Sequence, residues 1–353
     1  MSKLLLIDGN AMLHRAYHAL PPLTNTKGEV VNAVYGFFSM LVNVLVDQKP
    51  EYLVVCFDKA APTIRQTMYA GYHAHRPKMA DDFVPQVGLV HELLEKMKVA
   101  VFELDGYEGD DLVGTIATKA VAAFDFGSDA HNARGPGEET RGRHENLSVP
   151  LLTRPDLKND KGVREANEKN FASASLSKDS LKVIILTGDR DLLQLVNPHV
   201  KVLMPITGIT KTVLFDEKAV EEKYGVHPSQ FVDYKALIGD ASDGYPGVTG
   251  IGPKTASKLI LEYGTFENLY QHVGDLPEKV GLKLATDAEQ AALAKKLATI
   301  ITDAPIQFDI TKAACADFDA AALRAAFREQ GFKSLTARLD LLFGKEEEQL
   351  GLL

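Results

Sequence analysis

The sequence predicts an α/β protein built on a parallel sheet, and three observations predict it. Apolar runs of strand length recur at Leu4–Ile7, Tyr52–Phe57, Val99–Leu104 and Val183–Leu186. Stretches with apolar residues at helical spacing separate the first three runs and follow the third. Carboxylates stand at or just beyond the end of every run: Asp8, then Asp58, then Glu108, Asp110 and Asp111, then Asp189 and Asp191. Strands that alternate with helices need crossover connections, and so pair in parallel. Ligands of an open α/β sheet bind outside the carboxyl ends of its strands, which directs these acids to one crevice. Ionised carboxylates at short range raise one another's pKa, so the crevice calls for cations; hard divalent ions with oxygen ligands suit it.

The elements follow in order. Asn32 to Asp47 places Val34, Phe37, Phe38, Leu41 and Leu45 on one helical face, and Val84–Lys98 and Asp111–Ala123 read as further helices. From about Asp125 to Ser180 the composition shifts to Gly, Asn, Glu, Lys, Arg and Ser with few apolar anchors. Such a segment buries too little surface to offset its ordering entropy, and reads as a flexible insertion. The sheet resumes at Val183, with a short helix at Asp191–Val196 and strands at Val200–Met204 and Thr212–Phe215. The pattern is helical from 216 to Ala298, with two more helices at Ala321–Gly331 and Ser334–Phe343. The expected organisation is a sheet domain over 1–215, a helical region over 216–305 and a C-terminal helical extension over 306–353 that packs on the core.

Bulk properties narrow the class. With 353 residues, 45% hydrophobic and 25% charged, the chain has the composition of a soluble globular protein. Two cysteines cannot build a disulfide framework, and Cys56 sits inside an apolar run, which suits a reducing cytoplasm. The apolar start is too short for a signal peptide, and no stretch reaches the ~18–20 apolar residues of a membrane span. The net charge of −9 lacks the basic footprint usual for nucleic-acid binders. If the strand-end acids together with Asp240 and Asp243 converge on metals, the remainder is close to neutral, and basic stripes remain possible.

Two segments carry such features. Between the second strand and its helix run Arg65, Tyr69, Tyr72, His73, His75, Arg76 and Lys78. Basic groups interleaved with aromatic rings suit a phosphate backbone and stacked bases, although a solvated loop has the same look. Its place after Asp58 makes it overhang the crevice. The second is Gly247-Val248-Thr249-Gly250-Ile251-Gly252-Pro253-Lys254-Thr255. Pro253 separates the last glycine from Lys254, which excludes a Walker loop, and Thr255 stands where a dinucleotide fingerprint needs glycine. A hairpin between two helices remains. Its glycines let backbone N–H groups approach phosphate, and the following helix N-terminus and Lys254 add positive potential. A plain structural turn is the alternative, but Gly239-Asp240-Ala241-Ser242-Asp243 directly upstream adds two more acids.

At these residues the chain resembles the 5′-nuclease (flap endonuclease) family, and within it the 5′→3′ exonuclease domain of bacterial DNA polymerase I. The shared blocks are Ile7–Asn10, Phe57-Asp58 with Arg65, Glu108–Asp111, Leu186–Asp191, and Gly239–Asp243 running into Pro246–Gly252. The resemblance implies a PIN-like α/β domain, a helical arch matching Arg65–Lys78, and a helix-hairpin-helix for duplex DNA, often with a potassium ion. It implies one metal group of Asp8, Asp58, Glu108, Asp110 and Asp111, and a second held or supported by Asp189, Asp191, Asp240 and Asp243. Two Mg²⁺ or Mn²⁺ ions would drive phosphodiester hydrolysis. Arg76, Lys78 and His73 would steady the phosphate. Arg15, Arg65, Tyr72, Gly247, Gly250, Gly252, Lys254 and Thr255 would contact DNA with 5′ ends or 5′ flaps, in a monomer.

The chain departs from the family at His73, where relatives usually carry lysine, at Gly109 for a common alanine, and at Gly244 for the usual asparagine. The tail Gly344–Glu348 ends without polymerase sequence, which favours a free-standing or truncated nuclease. The rival readings are a DNA-structure-binding protein with weakened catalysis and a phosphatase or nucleotide hydrolase on a similar sheet.

Overall fold

The computed structural model describes residues 2–76, 78–129 and 181–344. Six strands form one sheet in the order β3-β2-β1-β4-β5-β6. These are β1 (Lys3–Asp8), β2 (Tyr52–Cys56), β3 (Ala100–Phe102), β4 (Lys182–Leu186), β5 (Val200–Thr207) and β6 (Lys211–Phe215). The first five strands pair in parallel, with Leu4 opposite Tyr52 on one side and opposite Val183 on the other. The last strand, β6, turns back antiparallel beside β5 and forms an edge. The strand order reverses between β1 and β4, and that switch point puts the end of β1 at the centre of the carboxyl-end crevice.

Successive side chains of a strand point to opposite faces, and the two cores follow that alternation. Leu4, Leu6, Val54, Cys56, Val183 and Ile185 face a core shared with the helix α5 (Gly109–Asp129) through Leu112, Val113 and Ile116. Leu5, Ile7, Leu53, Val55, Ile184 and Leu186 face the other way. They pack with α1 (Gly9–Ala19), α2 (Asn32–Gln48) and α4 (Val84–Lys96); the short α3 (Ile64–Met68) lies over the crevice side. Helix α1 escaped the sequence pattern because its buried face is short and small, with only Met12 and Leu13 as large apolar residues beside Gly9 and Ala16. Helix α5 runs on to Asp129, past the Ala123 limit that periodicity set. The rest of the expected insertion, residues 130–180, lies outside the described residues, as does the acidic tail from 345 onward.

The C-terminal half contributes α6 (Glu217–Tyr224), α7 (Phe231–Ile238), α8 (Pro253–Tyr263), α9 (Phe266–Gln271), α10 (Glu278–Thr286) and α11 (Ala288–Ala298). Phe231, Leu237, Ile260 and Leu284 of this region join the same apolar core as the sheet face that carries Leu4. The last helices, α12 (Ala320–Glu329) and α13 (Lys333–Phe343), bury Leu323, Phe327, Leu335 and Leu339 against α2 and α4 on the opposite face. Between α7 and α8, two-residue strands β7 (Gly239–Asp240) and β8 (Tyr245–Pro246) pair antiparallel. Their neighbours touch so closely that a Cβ on Gly247 would lie 2.3 Å from the Gly239 nitrogen. Glycine is required there, and the contact brings the acidic loop 240–243 to the base of the hairpin. Among the described residues no helix is long and apolar enough to cross a membrane.

Candidate active site

The strand ends are stitched together by their own carboxylates. Asp8 caps α1, accepting the Ala11 N–H on Oδ1 at 2.9 Å, and takes the Thr187 hydroxyl on Oδ2 at 2.7 Å. That hydroxyl also accepts the Asp189 N–H at 2.8 Å, so β1 and β4 are tied exactly where the strand order reverses. Asn10 and Asp58 bond reciprocally: the Asn10 amide donates to Asp58 Oδ2 at 2.8 Å, and the Asp58 N–H returns to Asn10 Oδ1 at 3.2 Å. Asp58 Oδ1 accepts the Gly109 N–H at 2.6 Å, which joins the β2 end to the start of α5. A Cβ on Gly109 would stand 3.3 Å from that oxygen, so glycine leaves slightly more room than alanine at this joint.

These acids lack counter-charge. Among the described residues, no lysine or arginine forms an ion pair with Asp8, Asp58, Asp110 or Asp189. Burial first, then the charges of Asp58 and Asp189, push the Asp8 carboxyl up to about 7. Burial, then Asp8, Asp189, Asp58 and Glu108, push Asp110 well above the usual carboxylate range. Asp189 moves the same way, again chiefly by burial. A set of carboxylate oxygens held in place by N–H and O–H donors, with unrelieved mutual repulsion, fits a hard divalent cation. Asp8, Asp58, Asp110 and Asp189 are the residues that would hold it; Glu108 differs, because Arg65 Nη1 lies 3.3 Å from its Oε2 and the Thr63 and Tyr72 hydroxyls donate to its two oxygens.

The second set differs. Asp191, Asp240 and Asp243 each bring a carboxylate oxygen within 4.8 Å of the others. Here the protein supplies cations of its own. Lys235 of α7, 5% exposed, places Nζ 2.7 Å from Asp191 Oδ1 and bonds Asp240 Oδ2 as well. Flanked by two carboxylates, this ammonium is held above the ordinary lysine range despite its burial. Ser242 bonds Asp240 Oδ1 through both its N–H and its hydroxyl. Asp243 Oδ1 receives Arg76 Nη2 at 2.9 Å and His73 Nε2 at 3.1 Å. Lys235 was not foreseen; its sequence signal is a lone lysine in the mostly apolar helix Phe231–Ile238, five residues before Asp240.

Three expected roles are corrected by burial. Asp111 is 1% exposed and turned away from the crevice, with both oxygens on Arg65 at 2.7 and 2.8 Å and further N–H bonds from Ile301 and Glu108. It is not placed to hold a metal. Arg65 is 3% exposed, and it also bonds the carbonyls of Leu297 and Thr299 and pairs with Glu108 Oε2 at 3.3 Å, so no face is left for DNA. Tyr72 is buried, donates its hydroxyl to Glu108 at 3.0 Å and stacks on His73 with ring centroids 3.9 Å apart. No base can reach that ring. Arg76 and Lys78 are both exposed, and Arg76 meets the crevice through Asp243. His73 adopts a left-handed backbone with φ 58° and fastens the segment to the acidic loop through its N–H on the Asp243 carbonyl at 2.8 Å. Arg15 lies to one side, donating Nε to the Gly208 carbonyl at 2.9 Å.

The hairpin glycines stand as expected. Gly250 has φ 75°, Gly252 caps α8, and Lys254 and Thr255 occupy its first turn behind Pro253. Gly252 is exposed, with open space where a Cβ would stand, so the N-terminus of α8 is accessible to an anion. The potassium ion implied by the resemblance fits less well, because the Gly250 carbonyl already accepts Lys283 Nζ at 2.8 Å.

Family models agree with this architecture. Residues 3–127 match the N-terminal resolvase-like domain of 5′-3′ exonucleases, and residues 226–321 match the C-terminal SAM fold of the same enzymes. The chain belongs to the 5′-nuclease family. The chain is 34% identical over 349 residues to DNA polymerase I of Bacillus caldotenax, covering 99% of this chain and 33% of that protein. It is 32% identical over 338 residues to DNA polymerase I of Bacillus subtilis, covering 96% and 32%. The chain thus spans about a third of the length of these relatives. Its fold is similar to a bacteriophage T5 protein co-crystallised with metal ions, with a TM-score of 0.59, 18% identity and coverage of 96% and 99%. It is also similar to the bacteriophage T5 flap endonuclease in a complex with DNA and metal ions, with a TM-score of 0.56, 16% identity and coverage of 96% and 99%.

Two expected outcomes follow from this geometry. Replacing Arg65 by Met leaves Asp111 buried without its partner, and should cost about 3–5 kcal/mol in chemical denaturation. Asp8 binds more protons folded than unfolded between its ordinary 3.8 and about 7, so stability falls as pH rises through that window. The metal-free protein should therefore be more stable at about pH 6 than at about pH 8, by on the order of 1 kcal/mol from Asp8. Added Mg²⁺ should stabilise it more at the higher pH, as read by thermal melts.

Proposed function

We propose that the chain is a divalent-metal-dependent nuclease that hydrolyses phosphodiester bonds at DNA 5′ ends and 5′ flaps, in replication and repair. One observation carries the reading: carboxylates without counter-charge lie at the switch point, beside a hairpin whose helix N-terminus is open to phosphate. Two Mg²⁺ or Mn²⁺ ions, when bound, supply charge neutralisation and an activated water. The chain's own residues do the rest. Asp8, Asp58, Asp110 and Asp189 hold the first cation group; Thr187 orients Asp8, and Asn10 and the Gly109 N–H orient Asp58. Asp191, Asp240 and Asp243 hold or support the second, in competition with Lys235. Arg76, exposed beside Asp243, and the exposed Lys78 two residues on steady the scissile phosphate as negative charge builds. The helix start at Gly252–Thr255 grips the duplex backbone without reading sequence. The protein is proposed to act as a monomer in the cytoplasm.

A second reading, a DNA-structure-binding protein with weakened catalysis, draws on Lys235 and Arg76, which already neutralise much of the second carboxylate set. One assay divides the two. On a 5′-flap duplex with Mg²⁺, the proposal expects cleavage that chelation abolishes and that Asp110→Asn lowers by about 100-fold or more, while the duplex stays bound. Tight binding without cleavage would install the second reading. His73→Lys places an ammonium where the family usually has one, and should raise the cleavage rate at neutral pH; an unchanged rate would remove His73 from the catalytic groups.

A further inference from the structure

The hairpin that should meet duplex DNA is not bare. Its Thr249 N–H donates to Asp287 Oδ2 at 2.7 Å, and Asp287 is held below the ordinary carboxylate range by that bond first. Its Gly250 carbonyl accepts Lys283 Nζ at 2.8 Å, and its Gly247 carbonyl accepts the Gln290 amide. The Val248 carbonyl is taken by the Ile251 N–H at 3.0 Å. Lys283 and Asp287 stand four residues apart at the end of α10, where the Asp287 N–H closes the helix on the Lys283 carbonyl. One helix end thus offers a cation to a hairpin carbonyl and an anion to a hairpin N–H. The fit depends on Gly250. At φ 75° it has no side chain, and a Cβ there would lie 2.7 Å from Lys283 Nζ.

An outward N–H and carbonyl on a glycine-rich turn are sites for an anion and a cation respectively. We infer that Lys283 and Asp287 are built-in occupants of the duplex-binding hairpin: Lys283 stands in for a bound monovalent cation, and Asp287 holds the N–H that a DNA phosphate would take. The inference rests on the duplex-binding reading above. Its consequences are specific. Duplex must displace the Asp287 carboxylate from Thr249, so that acid weakens binding. The hairpin also has no need of potassium, because the ammonium fills that role, and Lys283 adds its charge to the phosphate side.

The test uses the full chain, a DNA duplex with a 5′ flap and no divalent metal, in K⁺ and Na⁺ at equal ionic strength. Fluorescence anisotropy should give wild-type affinities that agree within about twofold between the two salts. Asp287→Asn should bind about fivefold to tenfold tighter. Lys283→Met should bind more weakly in Na⁺ and recover in K⁺, while Lys283→Arg stays like wild type. Thermal melts need no DNA: the wild-type Tm should be the same in both salts, and that of Lys283→Met should rise with K⁺ alone. A K⁺-specific gain in the wild type, or an Asp287→Asn chain that binds no tighter than wild type, overturns the inference. A chain that binds no duplex in any form, but whose melts behave as described, overturns the nuclease reading and leaves Lys283 as the hairpin's own cation.

Discussion

The Arg65–Asp111 pair is the interaction on which the rest of the site depends. Its guanidinium spans the start of α5 and the chain that leaves α11, bonding Asp111 on one side and the carbonyls of Leu297 and Thr299 on the other. Asp111 completes the joint by accepting the Ile301 N–H at 2.8 Å. Consecutive residues on a helix point about 100° apart, so fixing Asp111 inward turns Asp110 into the crevice. A buried pair of this kind gives little net stability beside an apolar replacement, but breaking one partner is costly. Its contribution is orientation: it sets where the sheet, the basic segment and the helical region meet.

The crevice contains two kinds of acid, and the difference is one of counter-charge. The strand-end group relies on N–H and O–H donors, which hold its oxygens still without cancelling charge. The group formed with the 240–243 loop has Lys235 beneath it and Arg76 above it. The first therefore gains most from an incoming cation, whereas the second exchanges one cation for another. The basic segment is fastened to the second group through His73 and Arg76, and the loop that carries Asp240 and Asp243 is backed against the hairpin by the Gly239–Gly247 contact. Whatever loads the second group is mechanically connected to both surfaces that would touch DNA.

Much of this was legible in the sequence, because strand ends and helical periods are local signals. The five strand-end and loop motifs, the glycine hairpin and most helices fall where spacing puts them. What was misread depends on partners distant in the chain. Arg65 and Asp111 are 46 residues apart, and nothing near either one shows that each will bury the other. Tyr72 reads as a stacking ring until Glu108 and His73 enclose it. Lys235 passed unnoticed because its partner Asp191 comes from another element. Helix α1 was missed for a local reason: its buried face holds only two large apolar residues, Met12 and Leu13, beside Gly9 and Ala16.

Helix α5 begins at the crevice and runs 21 residues away from it, about 30 Å at the usual rise, before ending at Asp129. Strand β4 begins at Lys182, at the end of the sheet opposite the acids, because it runs parallel to β1. The chain therefore leaves and re-enters the described fold on the amino edge, at the end of the sheet away from the acids. That edge is a natural grafting point. A segment of any length or composition joined there leaves the spacing of every carboxylate unchanged.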